Sequence, residues 1–358
     1  MNKKYWLFTI MLLIVIFFFN FNKGKKTNDS FNFLSQKDSI QLYYFHINKA
    51  ELSICDSNYT QALDNYLNAF SYINSPFPND IYNSLILNIY LRNYSDAIKL
   101  CEKLVLLGVN MTFFNQVPLK SLKNDTVLWN SFISKYDSLN EVYKSKIDFE
   151  LRNEIYKLFL NDQKNFCNID IETGIIPYIQ TQDTVFEKYF DILKKYGYPN
   201  HDLLGIDLIN DTIIKPSFQA TIIQHMYQES IDSIEKVSAL LKKEIFRGRL
   251  LPADFMNWDE FRYEPNHHYG KSILLKSMYE KDIYFYKLNL DSLRIKKYNY
   301  NRSEIFMYSF EDNLKKLIFI QKNPDNKFNF IIYGLYEMDN FEDNLKKLAF
   351  KKINFNDY

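Results

Sequence analysis

Cysteine is scarce and unpaired. Cys55, Cys101 and Cys167 form an odd set with no Cys-x-x-Cys spacing, which excludes a disulfide framework and a zinc knuckle and leaves buried thiols as the reading. An excess of one charge is also missing: 44 Lys plus Arg meet 43 Asp plus Glu, for a net charge of +1. No basic field exists to draw a phosphate backbone, so nucleic acid is not an expected partner. The sequence has no Gly-x-Ser-x-Gly elbow, no Gly-x-Gly-x-x-Gly and no His-Glu-x-x-His, which argues against the familiar nucleophilic, dinucleotide and zinc enzymes. Gly270-Lys271-Ser272 has the end of a phosphate loop, but Pro265 stands where the loop's first glycine belongs, so the backbone cradle is absent. No cofactor signature is present.

What the chain does have begins at its start. Met1-Asn2-Lys3-Lys4 precedes an apolar run over residues 5–21, broken by Thr9 and Asn20 and followed by Lys23, Lys25 and Lys26. That order marks an export signal or a membrane anchor. A helix over the run would reach roughly 25 Å, slightly short of a hydrocarbon core of about 30 Å. No Ala-x-Ala-like site follows it and no cysteine lies near its end, which favours an uncleaved signal-anchor over a cleaved signal peptide. The expected location is the cell envelope, anchored in the inner membrane with the body outside the cytoplasm. Residues 23–38 are polar and aperiodic and read as a tether.

At 358 residues the chain is long enough for two domains. The first is expected over 39–148. Asn58-Tyr59-Thr60-Gln61-Ala62-Leu63 overlays Asn93-Tyr94-Ser95-Asp96-Ala97-Ile98 at an offset of 35 residues. Ala50 then falls on Leu85, Tyr66 on Cys101 and Ala69 on Leu104. This resembles the tetratricopeptide repeat, with a period of about 34 residues. Cys101 and Leu104 depart from it, standing where an aromatic and a small residue are usual. The resemblance implies stacked helix pairs with a concave face that holds a protein partner; two repeats can equally serve as a support for the next domain.

The second domain is expected over 149–283. Ile155, Leu158 and Asp162 share a helix face by their spacing, as do Phe218, Ile222 and His225, so a carboxylate and an imidazole are both directed inward. Thr184-x-x-Glu187 reads as a capping box opening a helix that Gly197 and Pro199 close. The ordered set Asp162-Gln163, Tyr196-Gly197-Tyr198-Pro199, Gly205, Gln224-His225, Gly248 and Tyr269-Gly270 resembles the bacterial family catalogued as domain of unknown function 6624. The family pattern carries Asp-Arg where this chain has Asp259-Glu260, and a glutamine where it has His268. The family has no assigned activity, so the resemblance implies a fold and a site without a reaction.

The candidate catalytic residues are His225, Asp162, Glu229, Asp259 and His268, with Gln163, Gln224, His267 and Tyr269 beside them. Histidine titrates near neutrality and a carboxylate can orient it. His225 and Glu229 stand four apart on one helix and can address one metal or substrate, although two ligands do not make a metal site. The opposing reading is a buried polar pair that fixes how helices cross. Residues 284–358 form a C-terminal extension. Its octet Phe310–Leu317 recurs at 341–348, with acids early and lysines late as a helix dipole prefers, and Phe328–Tyr333 alternates as a short strand would. The expected fold is therefore mainly α: an N-terminal hydrophobic segment, tetratricopeptide-like helical pairs, then an α-helical domain with at most a short C-terminal strand. Two functions fit. One is a membrane-tethered or exported helical scaffold that binds protein; the other is an enzyme of unassigned type, hydrolytic and metal-assisted in one form, using the His/acid cluster.

Overall fold

The computed structural model describes residues 36–116, 118–167, 175–209, 212–214, 217–229, 231–263, 268–270, 274–279, 282–339 and 350–352. The apolar run 5–21, His267 and the second octet lie outside these residues. Among the described residues no helix is long and apolar enough to cross a membrane. Helix α1 already spans 36–55, and Lys37 sits 4.7 Å over the Phe246 ring, so the end of the expected tether is part of the folded body.

Helices α2 (Tyr59–Phe70), α3 (Pro78–Tyr90) and α4 (Tyr94–Val105) complete two antiparallel pairs with α1. The 35-residue register holds in burial as well as sequence: Ala62, Tyr66 and Ala69 are sealed, and so are Ala97, Cys101 and Leu104. Cys101 therefore fills with a thiol the place Tyr66 fills with a ring. Helix α3 is buried along its whole length from Pro78 to Ile89, which a helix at the end of an open repeat array would not be.

Helices α5 (Thr126–Lys146) and α6 (Phe149–Cys167) lead into the second unit, followed by α7 (Ile175–Tyr196), α8 (His201–Leu204), α9 (Ser217–Glu229), α10 (Ile231–Phe246) and α11 (Pro252–Asp259). Thr184 lies in the interior of α7, so the capping box there does not open the helix, which begins nine residues upstream at Ile175. Gly197 ends α7 at φ +72°, where an added Cβ would meet Arg249 and Glu244.

The expected limit of one short strand is overturned. Strands β1 (Asp207–Ile209) and β2 (Thr212–Ile214) form a small antiparallel pair. Strands β3 (Leu274–Tyr279), β4 (Asp282–Leu288), β5 (Leu335–Asp339) and β6 (Phe350–Lys352) form a four-stranded sheet in the order β5-β3-β4-β6. β3 and β4 pair antiparallel from Leu274 opposite Lys287 to Tyr279 opposite Asp282, whereas β5 adds to β3 in parallel. The aromatic and β-branched run Asp282-Ile-Tyr-Phe-Tyr-Lys-Leu suits a pleated, half-buried surface, and its short length hid it among helical patterns. The expected boundary at 283 consequently cuts through β4. Helices α12 (Ser292–Ser303) and α13 (Phe310–Lys322) connect β4 to β5; α13 begins where the first octet does, capped by Ser309. The alternating stretch Phe328–Tyr333 is neither helix nor strand.

A single hydrophobic cluster runs from Ile40 through Ile155 and Ile222 to Phe330. The two units read from the sequence thus share one core, while a smaller cluster of Leu274, Tyr298, Phe310 and Leu317 lies under the sheet.

Candidate functional site

Helices α6 and α9 pack against each other with the faces that their spacing predicts: Ile155, Leu158 and Asp162 on one, Phe218, Ile222 and His225 on the other, all buried. His225 Nδ1 lies 3.0 and 2.9 Å from the two oxygens of Asp162. Asp162 is fully buried, and Gln163 Nε2 donates to its Oδ2 at 2.8 Å. A carboxylate on Nδ1 makes that nitrogen a protonated donor. The pair is an imidazole oriented by an acid, an arrangement suited to proton transfer. The Glu229 side chain lies outside the described residues, and among those residues no three of His, Cys, Asp and Glu converge as a metal site requires.

Asp259 and His268 belong to a different cluster. Asp259 accepts from Ser238 Oγ at 2.7 Å, from Arg262 Nη1 at 3.1 Å and from the Tyr269 hydroxyl at 3.1 Å. Its neighbour Glu260, also buried, accepts the backbone N–H of His268 at 3.0 Å and of Tyr269 at 2.8 Å. On the carbonyl side Asn301 Nδ2 donates to His268 at 2.7 Å, while the fully buried Arg302 donates to Tyr269 at 2.7 Å and to Gly270 at 3.1 Å. Gly270 holds φ +66° against the Tyr298 ring, 2.5 Å from where a Cβ would stand. Every polar backbone group of the Tyr-Gly segment that these residues reach is thereby paired, which is what burying it requires. His268 stacks on Tyr263 with ring centroids 4.1 Å apart, and burial pushes its pKa below the usual histidine value. Burial likewise pulls Arg302 down to about 10.

Of the candidate residues, the structure joins Asp162 to His225 and sets Asp259 and His268 among other partners. The first two form a pair; the last two help to lock a segment between α11 and α12. Glu260, Ser238, Arg262 and Arg302, which organise that lock, carry no local sequence signal of burial. Tyr227, two residues past His225 on α9, turns to the Asp259 side, where burial and the nearby carboxylate raise its pKa.

Side chains of α1 and α3 are engaged by the C-terminal part of the chain. Lys316 of α13 pairs with Glu51 at 2.5 Å in a buried contact, and Asn48 Nδ2 donates to Asp312 at 2.9 Å. Asn83 of α3 donates to the Asn329 carbonyl at 3.1 Å and accepts its N–H at 2.7 Å. The Tyr308 hydroxyl and Asn313 Nδ2 take the carbonyls of Ile331 and Tyr333. The segment 328–333 is thus held by side chains at alternate residues, in place of a strand partner.

Comparison with protein-family models, curated proteins and solved structures finds no match to this chain.

Proposed function

We propose that the protein is an acid–base enzyme of the bacterial cell envelope, tethered through residues 5–21, in which Asp162 and His225 form the working pair and the repeat pairs act as an internal buttress. One observation carries the reading: a buried carboxylate places both oxygens within 3.0 Å of His225 Nδ1. Asp162 holds the tautomer and stabilises the imidazolium once His225 Nε2 has taken a proton, the division of labour by which such pairs raise rates about 10²- to 10⁴-fold. The engagement of α1 and α3 by the C-terminal part of the chain supports the buttress role over capture of a partner there.

The test is turnover of ester, amide and phosphoester panels by the full chain in detergent. Wild-type turnover should fall by about 100-fold in His225→Gln, with the thermal midpoint little changed. Absence of any wild-type turnover, together with a Leu/Leu replacement of Asp162 and His225 that is at least as stable as wild type, would reduce the pair to a structural contact.

A second reading, a helical scaffold for a protein partner, is favoured by one feature. A groove of about 640 Å³ runs between α2, α3 and α4, walled by Leu63, Leu67, Phe70 and Leu100. Pull-down from cross-linked envelopes with wild type and Leu67→Glu separates this reading: loss of a specific partner in the variant supports it, and identical recovery removes it.

A further inference from the structure

A cleft of about 390 Å³ opens where the repeat pairs meet the second unit, between the segment joining α2 to α3, the ends of α4 and α5, and α8. Its size falls in the range of small-molecule sites, which favour such junctions. The wall on the α8 side is a fixed polar chain. Ser75 Oγ lies 2.5 Å from Asp202 Oδ1 and 3.2 Å from His201 Nε2. A serine has one proton, and the short contact to an ionised carboxylate is the charge-assisted bond that takes it. His201 Nε2 must then donate to Ser75 Oγ. Burial lowers the pKa of His201, so the ring is neutral and has one N–H for that purpose. This order of donors excludes Ser75 as a nucleophile with His201 as its base, because the imidazole presents a hydrogen and not a lone pair.

The chain of bonds ends on Asp202, whose side chain is half exposed at 50%. Asn200 Nδ2 braces its other oxygen at 3.2 Å, and Phe77 packs on the His201 ring with centroids 5.5 Å apart. Asp202 is therefore a carboxylate held in one orientation at the cleft wall, with acceptor capacity remaining. Lys103 and Lys146 also line the cleft, at the last turns of α4 and α5, and neither pairs with a carboxylate among the described residues. Ile81, Leu106, Leu107 and Ile147 supply the apolar lining.

We infer that this cleft binds a small amphipathic anion that also carries a hydrogen-bond donor, an α-amino or α-hydroxy acid with an apolar side chain. The lysines receive the carboxylate, Asp202 accepts from the amino or hydroxyl group, and the aliphatic lining covers the side chain. Nothing in this site depends on His225 or Asp162.

Calorimetric titration of the full chain in detergent tests it with four probes: leucine, 2-hydroxy-4-methylpentanoate, 4-methylpentanoate without the donor, and leucinamide without the anion. The first two should bind saturably at one site, and the last two about tenfold more weakly or not at all. Asp202→Asn should weaken leucine about tenfold, and so should Lys103→Ala combined with Lys146→Ala, whose exposed side chains can be removed without unfolding the chain. Saturable binding by none of the probes overturns the inference. So does equal affinity for leucine and leucinamide, or affinity unchanged in both variants while the thermal midpoint stays at the wild-type value.

Discussion

Asp162 and Asp259 are both buried carboxylates on helices of one core, yet their surroundings differ in kind. Asp162 faces an imidazole, a group that gains and loses a proton in the physiological range. Asp259 faces two hydroxyls and a guanidinium that keeps its charge. The first environment has the composition of an acid–base pair; the second is a closed set of hydrogen bonds around a carboxylate. A carboxylate on an apolar helix face is therefore not informative by itself, and the partner across the interface decides between chemistry and architecture.

The architectural side of this comparison is most exposed at Arg302. Its side chain is fully buried and donates to carbonyls of Tyr269 and Gly270, while Glu260 takes the amide hydrogens from the other direction. Arg302→Ala strands those carbonyls and removes the counter-charge to Glu260, so it should cost about 3–5 kcal/mol, read as a fall in the urea midpoint. A loss under about 1 kcal/mol would show that the Tyr-Gly segment is held without this lock.

What the sequence allowed and what it hid follow from distance along the chain. Periodicity alone turned Asp162 and His225 inward, because spacings of four and seven residues fix a helix face. The 35-residue register likewise located α2 and α4 through residues that contact one another locally. Arg302 was invisible: it sits in the polar run Tyr298-Asn-Tyr-Asn-Arg-Ser, and its partners lie 32 and 33 residues away. The parallel pairing of β5 with β3 joins residues about sixty apart, which no window of a dozen residues can report. Phe328–Tyr333 alternates in sequence as a strand would, yet forms none. Its backbone is taken instead by Asn83, Tyr308 and Asn313.

Exchanging each aspartate for asparagine sharpens the contrast. Asp259→Asn weakens the bonds to Ser238, Arg262 and Tyr269 and should cost about 1–3 kcal/mol, with any His225-dependent turnover preserved within a few-fold. Asp162→Asn should do the reverse, lowering turnover by about 100-fold through loss of the tautomer control on His225. Equal effects of both substitutions on stability and turnover would erase the distinction between the two clusters.

Asp80 of α3 supplies a third case, a buried carboxyl whose near neighbours are a tyrosine hydroxyl and another acid. It accepts from Tyr43 and borders, with Glu51 and Asn48, a cavity of about 50 Å³. Burial and the Glu51 charge raise its pKa from an ordinary 3.8 to about 8, against the opposing pull of the Tyr43 hydrogen bond and Lys316. The folded carboxyl keeps its proton up to about 8, whereas the unfolded one loses it near 3.8. The folded state therefore binds the additional proton between those values, and stability must fall as pH rises through that window before levelling above it. One such group contributes a slope of at most about 1.4 kcal/mol per pH unit. Asp80→Asn keeps the shape and removes the proton, so it should flatten the slope between pH 5 and pH 8, with the variant overtaking wild type at the alkaline end; parallel urea midpoints across that range would mean that Asp80 is ionised in the folded protein. The carboxyls would then form a series set by their partners: Asp162 beside a group that exchanges protons, Asp259 beside one that cannot, and Asp80 keeping its own proton because its surroundings disfavour the charge.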